Sequence, residues 1–230
     1  MIITYYLLLQ ILLSLPLHSE GMSIKTSRWI HRFCQSAGNE VLVEVPYTYL
    51  KDVMVISWLN EYKRVKYFPE ALSVIADDSY ILAKVDRESM HKIDDTTKRL
   101  YSLLHSRYVV TNQGLTAIMN KYSNGVYGVC PRVYCNGSKL LPVGLHDQIG
   151  MSSMKYFCPK CRDVYHPQSS FHKRIDGAAF GTTLPHLLLQ KYPELCSEQP
   201  QEKYVPRIFG FRLHRDSEEM KIHRGDNSLD

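Results

Sequence analysis

The stretch that decides the fold is Cys130-Pro-Arg-Val-Tyr-Cys135, followed after 22 residues by Cys158-Pro-Lys-Cys161. Each close pair of cysteines can turn two thiolates toward one point, and the chain between the pairs can bring the two points together. Four thiolates form the ligand set of a structural zinc site and leave no position open for a catalytic water. The sequence therefore predicts one structural zinc ion per chain, bound by Cys130, Cys135, Cys158 and Cys161.

Disulfide bonds are the main alternative for these four cysteines. The spacing and the turn-forming prolines that follow Cys130 and Cys158 favour a metal site. A redox-active C-x2-C pair is disfavoured because no strand-to-helix transition precedes Cys158. Cys34 and Cys196 remain, and we expect them to be buried or inert thiols.

The composition is that of a soluble globular protein. The chain has 230 residues, 44% hydrophobic and 22% charged, with a net charge of +5, and it is long enough for one substantial domain or two small ones. The basic residues are scattered, so no nucleic-acid partner is expected. The apolar run at residues 2–17 is too short for a confident transmembrane span, so no membrane partner is expected. Residues 1–21 are either a secretory leader or an extension upstream of Met22.

The pattern from residue 22 to residue 124 predicts a helical domain. Its clearest helix covers residues 90–109, where apolar side chains recur three, four and seven positions apart. A second helix is predicted for residues 111–122, before Asn124-Gly125. Between residues 77 and 88 the periodicity fails, which indicates an irregular connector.

After Gly125 the chain changes to short β-type runs rich in proline, glycine, tyrosine and cysteine. The predicted fold class is α+β, with a small zinc-ribbon-like β domain at residues 125–182. A helix is expected at residues 184–192. The alternation in residues 204–214 predicts a strand that presents Phe209 and Phe211 on one face. Residues 215–230 are charged and are expected to be disordered.

Several of these motifs together resemble the casein kinase II regulatory (beta) subunit family. The similar stretches are residues 105–108, 127–135, 141–145, 156–161, 176–181 and 206–211. The resemblance extends over roughly residues 27–214. The motifs are long and occur in the same order, which makes chance similarity a poor explanation.

The resemblance implies a non-catalytic subunit that forms a homodimer through its zinc domain. Pro131, Val133 and Val164 would lie at the dimer contact. Residues 183–214 would dock the casein kinase II catalytic (alpha) subunit through Phe209 and Phe211, giving a heterotetramer. Exposed apolar side chains and paired aromatics are typical of interface cores, although core packing is the alternative for the two phenylalanines. The implied location is the cytoplasm and nucleus.

The sequence departs from the family in its acidic region. The family carries a dense acidic stretch that is implicated in polyamine binding, whereas here Asp77-Asp78 is followed by Lys84. Two carboxylates near a lysine make a weaker cation site. This indicates a divergent paralogue with reduced electrostatic regulation.

A catalytic role is not expected. His214-Arg215-Asp216 imitates a kinase catalytic loop, but the position of its magnesium-binding asparagine is Lys221, and no phosphate loop or D-F-G motif is present. Two other functions stay open from the residues. One is a zinc-ribbon nucleic-acid binder, which Arg132, Lys160 and Arg162 would partly suit. The other is a beta-like dimer that no longer docks the kinase.

Overall fold

The computed structural model describes residues 26–51, 65–77, 86–195, 205, 207–212 and 214. The predicted mixture of helices and a small sheet is confirmed. The helices are α1 (Arg28–Gln35), α2 (Tyr47–Leu50), α3 (Phe68–Ile75), α4 (Arg87–Val109), α5 (Asn112–Ser123) and α6 (Leu184–Lys191). The strands are β1 (Leu141–Val143), β2 (Lys155–Phe157), β3 (Val164–Tyr165), β4 (Arg207–Ile208) and β5 (Phe211–Arg212). The leader, the charged tail, most of the connector and Cys196 lie outside the described residues.

Helix α4 is the centre of the helical part. It begins after Asp86, whose carboxylate accepts a hydrogen bond from the backbone N–H of Ser89 at 3.0 Å and so satisfies a free helical donor. A stripe of side chains along the helix is buried: Ile93, Leu100, Leu104 and Tyr108. The helix packs against α3, α5 and the turn at Gly177–Ala179. The helix expected at residues 90–109 is therefore confirmed, and it begins slightly earlier. None of the helices within the described ranges is long and apolar enough to cross a bilayer.

Helix α5 follows α4 after a two-residue connection. The hydroxyl of Thr111 accepts a hydrogen bond from the backbone N–H of Gly114 at 3.1 Å and caps the new helix. The helix ends at Ser123 with Asn124 as its C-cap, and Gly125 then takes a left-handed conformation with φ 72°. These bounds confirm the helix that was expected at residues 111–122.

One buried histidine joins the helical part to the cysteine-containing part. His105 of α4 has no exposed surface. Its Nε2 accepts a hydrogen bond from the Val43 N–H at 3.0 Å, and its Nδ1 lies 2.6 Å from the carbonyl oxygen of Ala179. The second contact requires a proton on Nδ1, so the ring is the neutral Nδ1–H tautomer. Burial lowers the pKa of His105 to about 4, which keeps the ring neutral.

The three-stranded sheet carries the cysteine-containing part. Its order is β1-β2-β3 and both pairs are antiparallel, with Leu141 opposite Phe157 and Phe157 opposite Val164. The segment after β1 passes very close to the turn at Gly177. A Cβ added to Gly144 would lie only 2.2 Å from the carbonyl oxygen of Gly177, so this crossing requires glycine.

The expectation of one strand across residues 204–214 is wrong. The described residues form a two-stranded hairpin instead, in which Ile208 is paired with Phe211 and Phe209-Gly210 makes the turn. Both turn residues have positive φ, 49° and 85°, which is the pattern of a type I′ turn. The alternation of apolar residues resembled a continuous strand because a two-residue turn leaves the strand period on each side intact.

Candidate metal centre

The first cysteine pair lies on a tight knuckle between α5 and β1. The chain turns at Val133–Cys135, where the Cys135 N–H donates to the Arg132 carbonyl oxygen at 2.9 Å. The knuckle closes where the Cys130 N–H donates to the Ser138 carbonyl oxygen at 2.8 Å. These backbone bonds hold Cys130 and Cys135 on the same side of the loop.

The second knuckle follows β2 directly. The Arg162 N–H donates to the Cys158 carbonyl oxygen at 2.8 Å, and the Cys158 N–H donates to the Asp163 carbonyl oxygen at 3.0 Å. Arg162 has φ 60°, and Asn136 occupies the equivalent place after the first pair with φ 54°. Each knuckle is therefore closed by a left-handed residue directly after its second cysteine. Asn136 is suited to that conformation, whereas Arg162 carries no sequence signal for it.

The four sulfur atoms converge as the sequence predicted. All lie within 4.8 Å of one another, and both Cys130–Cys161 and Cys135–Cys158 have Sγ–Sγ distances of 3.9 Å. Zinc–sulfur bonds of about 2.3 Å in a tetrahedron require sulfurs about 3.8 Å apart. A disulfide requires about 2.0 Å, and all four cysteines are free thiols. The residues present fit a tetrahedral metal ion.

The electrostatics of the four-cysteine cluster also favour the binding of a cation. Burial and the neighbouring thiols raise the pKa of Cys135. Burial acts to raise the pKa of Cys161 as well, but hydrogen bonds, including one from the Tyr165 hydroxyl at 3.2 Å, bring it below its ordinary value. Four thiolates this close repel one another strongly unless a divalent ion compensates their charge. Such an ion would hold the two knuckles together.

An apolar rim surrounds the two knuckles. Val133 is 84% exposed and Val164 is 46% exposed, and Pro131 beside them is also exposed. Sequence reasoning missed Val129, which is 57% exposed on the same knuckle. Its position directly before Cys130 was the available signal. Arg132 and Asp163 form an ion pair between the two knuckles at 2.6 Å. These apolar side chains therefore lie beside a satisfied ion pair, and the second knuckle also presents the exposed Arg162 and the half-exposed Lys160.

Phe209 and Phe211 are not core residues. Phe209 is 97% exposed at the tip of the hairpin and Phe211 is 80% exposed on β5. The structure keeps them close along the chain, but one lies in the turn and the other in a strand. The alternative of core packing is therefore wrong for both residues.

Asp77 has a structural task that the sequence did not reveal. Its carboxylate accepts hydrogen bonds from the backbone N–H groups of Arg28 and Trp29 at the start of α1, and the Tyr47 hydroxyl donates to it at 3.2 Å. These donors are the free amides of a helix N-terminus. A carboxylate committed in this way is poorly available to a soluble cation.

Comparison with known proteins assigns the family. The family model for the casein kinase II regulatory subunit matches residues 28–212. The chain is 40% identical over 203 residues to casein kinase II subunit beta of Schizosaccharomyces pombe, a match that covers 88% of this chain and 86% of that protein. The chain belongs to the casein kinase II regulatory subunit family.

Two further relatives agree with this assignment. The chain is 38% identical over 188 residues to casein kinase II subunit beta' of Drosophila melanogaster, covering 82% of this chain and 84% of that protein. It is 40% identical over 192 residues to casein kinase II subunit beta' of Saccharomyces cerevisiae, covering 83% and 74%. The expectation of a regulatory rather than catalytic protein is thereby confirmed.

Proposed function

We propose that this chain binds one structural zinc ion and forms a homodimer through the rim around it. The four-cysteine cluster supports zinc because its sulfur spacing matches a tetrahedral thiolate site. Val129, Val133 and Val164 are exposed beside these rigid knuckles. Burying such side chains against a second copy removes apolar surface from water at little cost in ordering flexible chain.

The proposed partner of this dimer is the casein kinase II catalytic subunit, with two copies bound to give a heterotetramer. The observation that carries this proposal is the pair of exposed phenylalanines on the hairpin. Phe209 sits at φ 49°, a conformation that costs a non-glycine residue about 1–2 kcal/mol. An aromatic residue that is both strained and exposed does not stabilise the free chain. It is explained when a partner buries the ring.

The same proposal fits a reducing compartment, the cytoplasm or the nucleus. The ligand thiols must stay reduced to bind zinc, and oxidising compartments favour disulfides. Within that compartment the chain would recruit the kinase and modulate its serine/threonine kinase activity and its choice of substrate.

The docking role is tested by replacing both phenylalanines. We expect Phe209→Ala/Phe211→Ala to weaken binding of the kinase catalytic subunit by several kcal/mol, because a buried aromatic hot spot contributes about 2 kcal/mol or more. The variant should keep its melting temperature, its zinc and its dimeric state, since both rings are exposed in the free chain. Affinity is measured by calorimetry, and melting on the same preparation.

Phe171→Ala is the matched control. Phe171 is also an exposed phenylalanine, 48% accessible, but it lies outside the hairpin. Its replacement should leave kinase affinity unchanged. Normal binding by the double hairpin variant would refute the docking role and favour a dimer that does not bind the kinase. A collapse of its melting temperature would show that the rings stabilise the fold instead.

A further inference from the structure

The docking hairpin has two chemically different faces. Arg207 is paired directly with Arg212, and Ile208 is paired directly with Phe211. Because side chains alternate across a strand, the two arginines share one face and the two apolar residues share the other. All four side chains are exposed. A partner that covered only the apolar face would leave the arginines in water.

The arginine pair is unfavourable in the free chain. Like charges directly opposite each other destabilise a strand pair, and a hairpin with two residues per strand has little stability to spare. One guanidinium nitrogen of Arg207 donates to the Gly210 carbonyl oxygen at 3.1 Å and braces the turn. Arg212 makes no such contact, and neither arginine forms an ion pair among the described residues.

We propose that the kinase catalytic subunit receives this hairpin in a cleft with two unlike walls. One wall is an apolar pocket that takes Ile208 and Phe211 together with Phe209 of the turn. The opposite wall carries at least one carboxylate that faces Arg207 and Arg212. A carboxylate between two guanidinium groups relieves their repulsion and accepts charge-assisted hydrogen bonds from both. This inference rests on the proposed docking role and adds the chemistry of the surface that is recognised.

The two walls contribute differently to binding. The apolar wall supplies affinity that changes little with salt, whereas the acidic wall supplies attraction that salt screens. The acidic wall also sets the orientation of the hairpin, because the apolar face alone cannot distinguish the two directions of insertion. Binding should therefore have a salt-dependent component that is located on the arginine face.

The test uses Arg212, because replacing Arg207 would also remove the brace on the turn. The variants are Arg212→Gln, Arg212→Glu and the charge-conserving Arg212→Lys, each in the full zinc-loaded chain. Arg99→Gln on α4 is the control, since it removes the same charge from an exposed position far along the chain. Affinity for the kinase catalytic subunit is measured at low and high salt, with melting temperature as the check on folding.

We expect Arg212→Gln to bind about tenfold more weakly than the parent at 50 mM salt, Arg212→Glu to bind more weakly still, and both differences to shrink near 0.5 M salt. Arg212→Lys should recover most of the affinity, and Arg99→Gln should match the parent. This set of results would support a carboxylate wall.

Three results would overturn the proposal. If Arg212→Glu binds like the parent at every salt concentration while Phe209→Ala/Phe211→Ala does not bind, the acidic wall is refuted and docking stands. If Arg212→Glu binds more tightly, the acidic wall is refuted, because relief of the repulsion between Arg207 and position 212 within the hairpin then outweighs any attraction that the wall supplies. If Phe209→Ala/Phe211→Ala binds normally, the docking role itself fails and this inference fails with it.

Discussion

Replacing Gly114 with alanine tests the close backbone contact between α4 and α5. Gly114 is buried in the first turn of α5, directly beside the last turn of α4. A Cβ at this position would lie 2.0 Å from the carbonyl oxygen of Tyr108 and 2.6 Å from the Cα of Val109. Both contacts are to backbone, which cannot rotate away as a side chain would. The two helices would have to separate.

We expect Gly114→Ala to destabilise the protein, although helix propensity alone predicts that it stabilises. Glycine to alanine inside a helix normally stabilises it by about 1 kcal/mol. Forcing an extra carbon into a packed backbone contact costs roughly 1–3 kcal/mol or more, and here it also strains the Thr111 cap that bonds to the Gly114 N–H. Both contacts are far below van der Waals distance, so we expect the packing cost to lie at the upper end of that range, about 3 kcal/mol. After the propensity gain of about 1 kcal/mol, the net loss of stability is roughly 2 kcal/mol.

Urea unfolding at constant zinc measures this loss, and thermal melting should fall by several degrees. The control is Gln113→Ala, an exposed neighbour on the same helix turn, which should change stability by less than about 0.5 kcal/mol. A Gly114→Ala chain that is as stable as the parent, or more stable, would refute the close approach of α4 and α5.

Three further outcomes are expected. Cys158→Ser or Cys161→Ser should abolish the proposed zinc binding and dimerisation, because a structural zinc contributes on the order of 10 kcal/mol. An intact dimer of either variant that still holds one zinc per chain, by metal analysis and sizing, would contradict this. Lowering the pH from 6.5 to 4 should destabilise the parent by roughly 2.5 kcal/mol more than His105→Gln. The unfolded histidine binds its proton throughout this range, whereas the folded one, with its pKa near 4, begins to bind one only at the acidic end. Parallel urea curves for both chains would argue against this. Spermine should stimulate kinase complexes of this chain less than complexes of an acidic family member. The reason is that Asp77 already accepts hydrogen bonds from the start of α1 and that Lys84 follows it in the sequence. Equal stimulation in one low-salt assay would disprove this.

The convergence of the four cysteines was predictable because its information is local. The spacings within 130–135 and 158–161 allow each pair to converge on one point with only a short turn between them. Helix α4 was predictable for a similar reason, since the periodic burial of Leu100 and Leu104 is written directly in the residue order. Both predictions required only the identities of residues a few positions apart, or the known geometry of a metal ligand set.

The hairpin was misread because local pattern cannot distinguish two-residue strands around a tight turn from one strand. Alternation in residues 204–214 is the same in both cases, and the glycine at position 210 was the only local sign of a turn. The segment forms a hairpin because Phe209 adopts a left-handed backbone conformation, which is unusual for an aromatic residue. The resemblance singled out Phe209 and Phe211, but their exposure was visible only in three dimensions.

The sequence by itself determined the four-cysteine cluster, the long helices and the family, because each depends on residue types at short, fixed spacings. Only the tertiary structure decided the tasks of His105, Asp77 and Gly114. The partners of His105 and Asp77 are 62 or more and 30 or more residues away, and the contact of Gly114 depends on the angle between two helices. Long-range hydrogen bonds and backbone crossings arise from how whole elements pack, and no pattern within either segment specifies them.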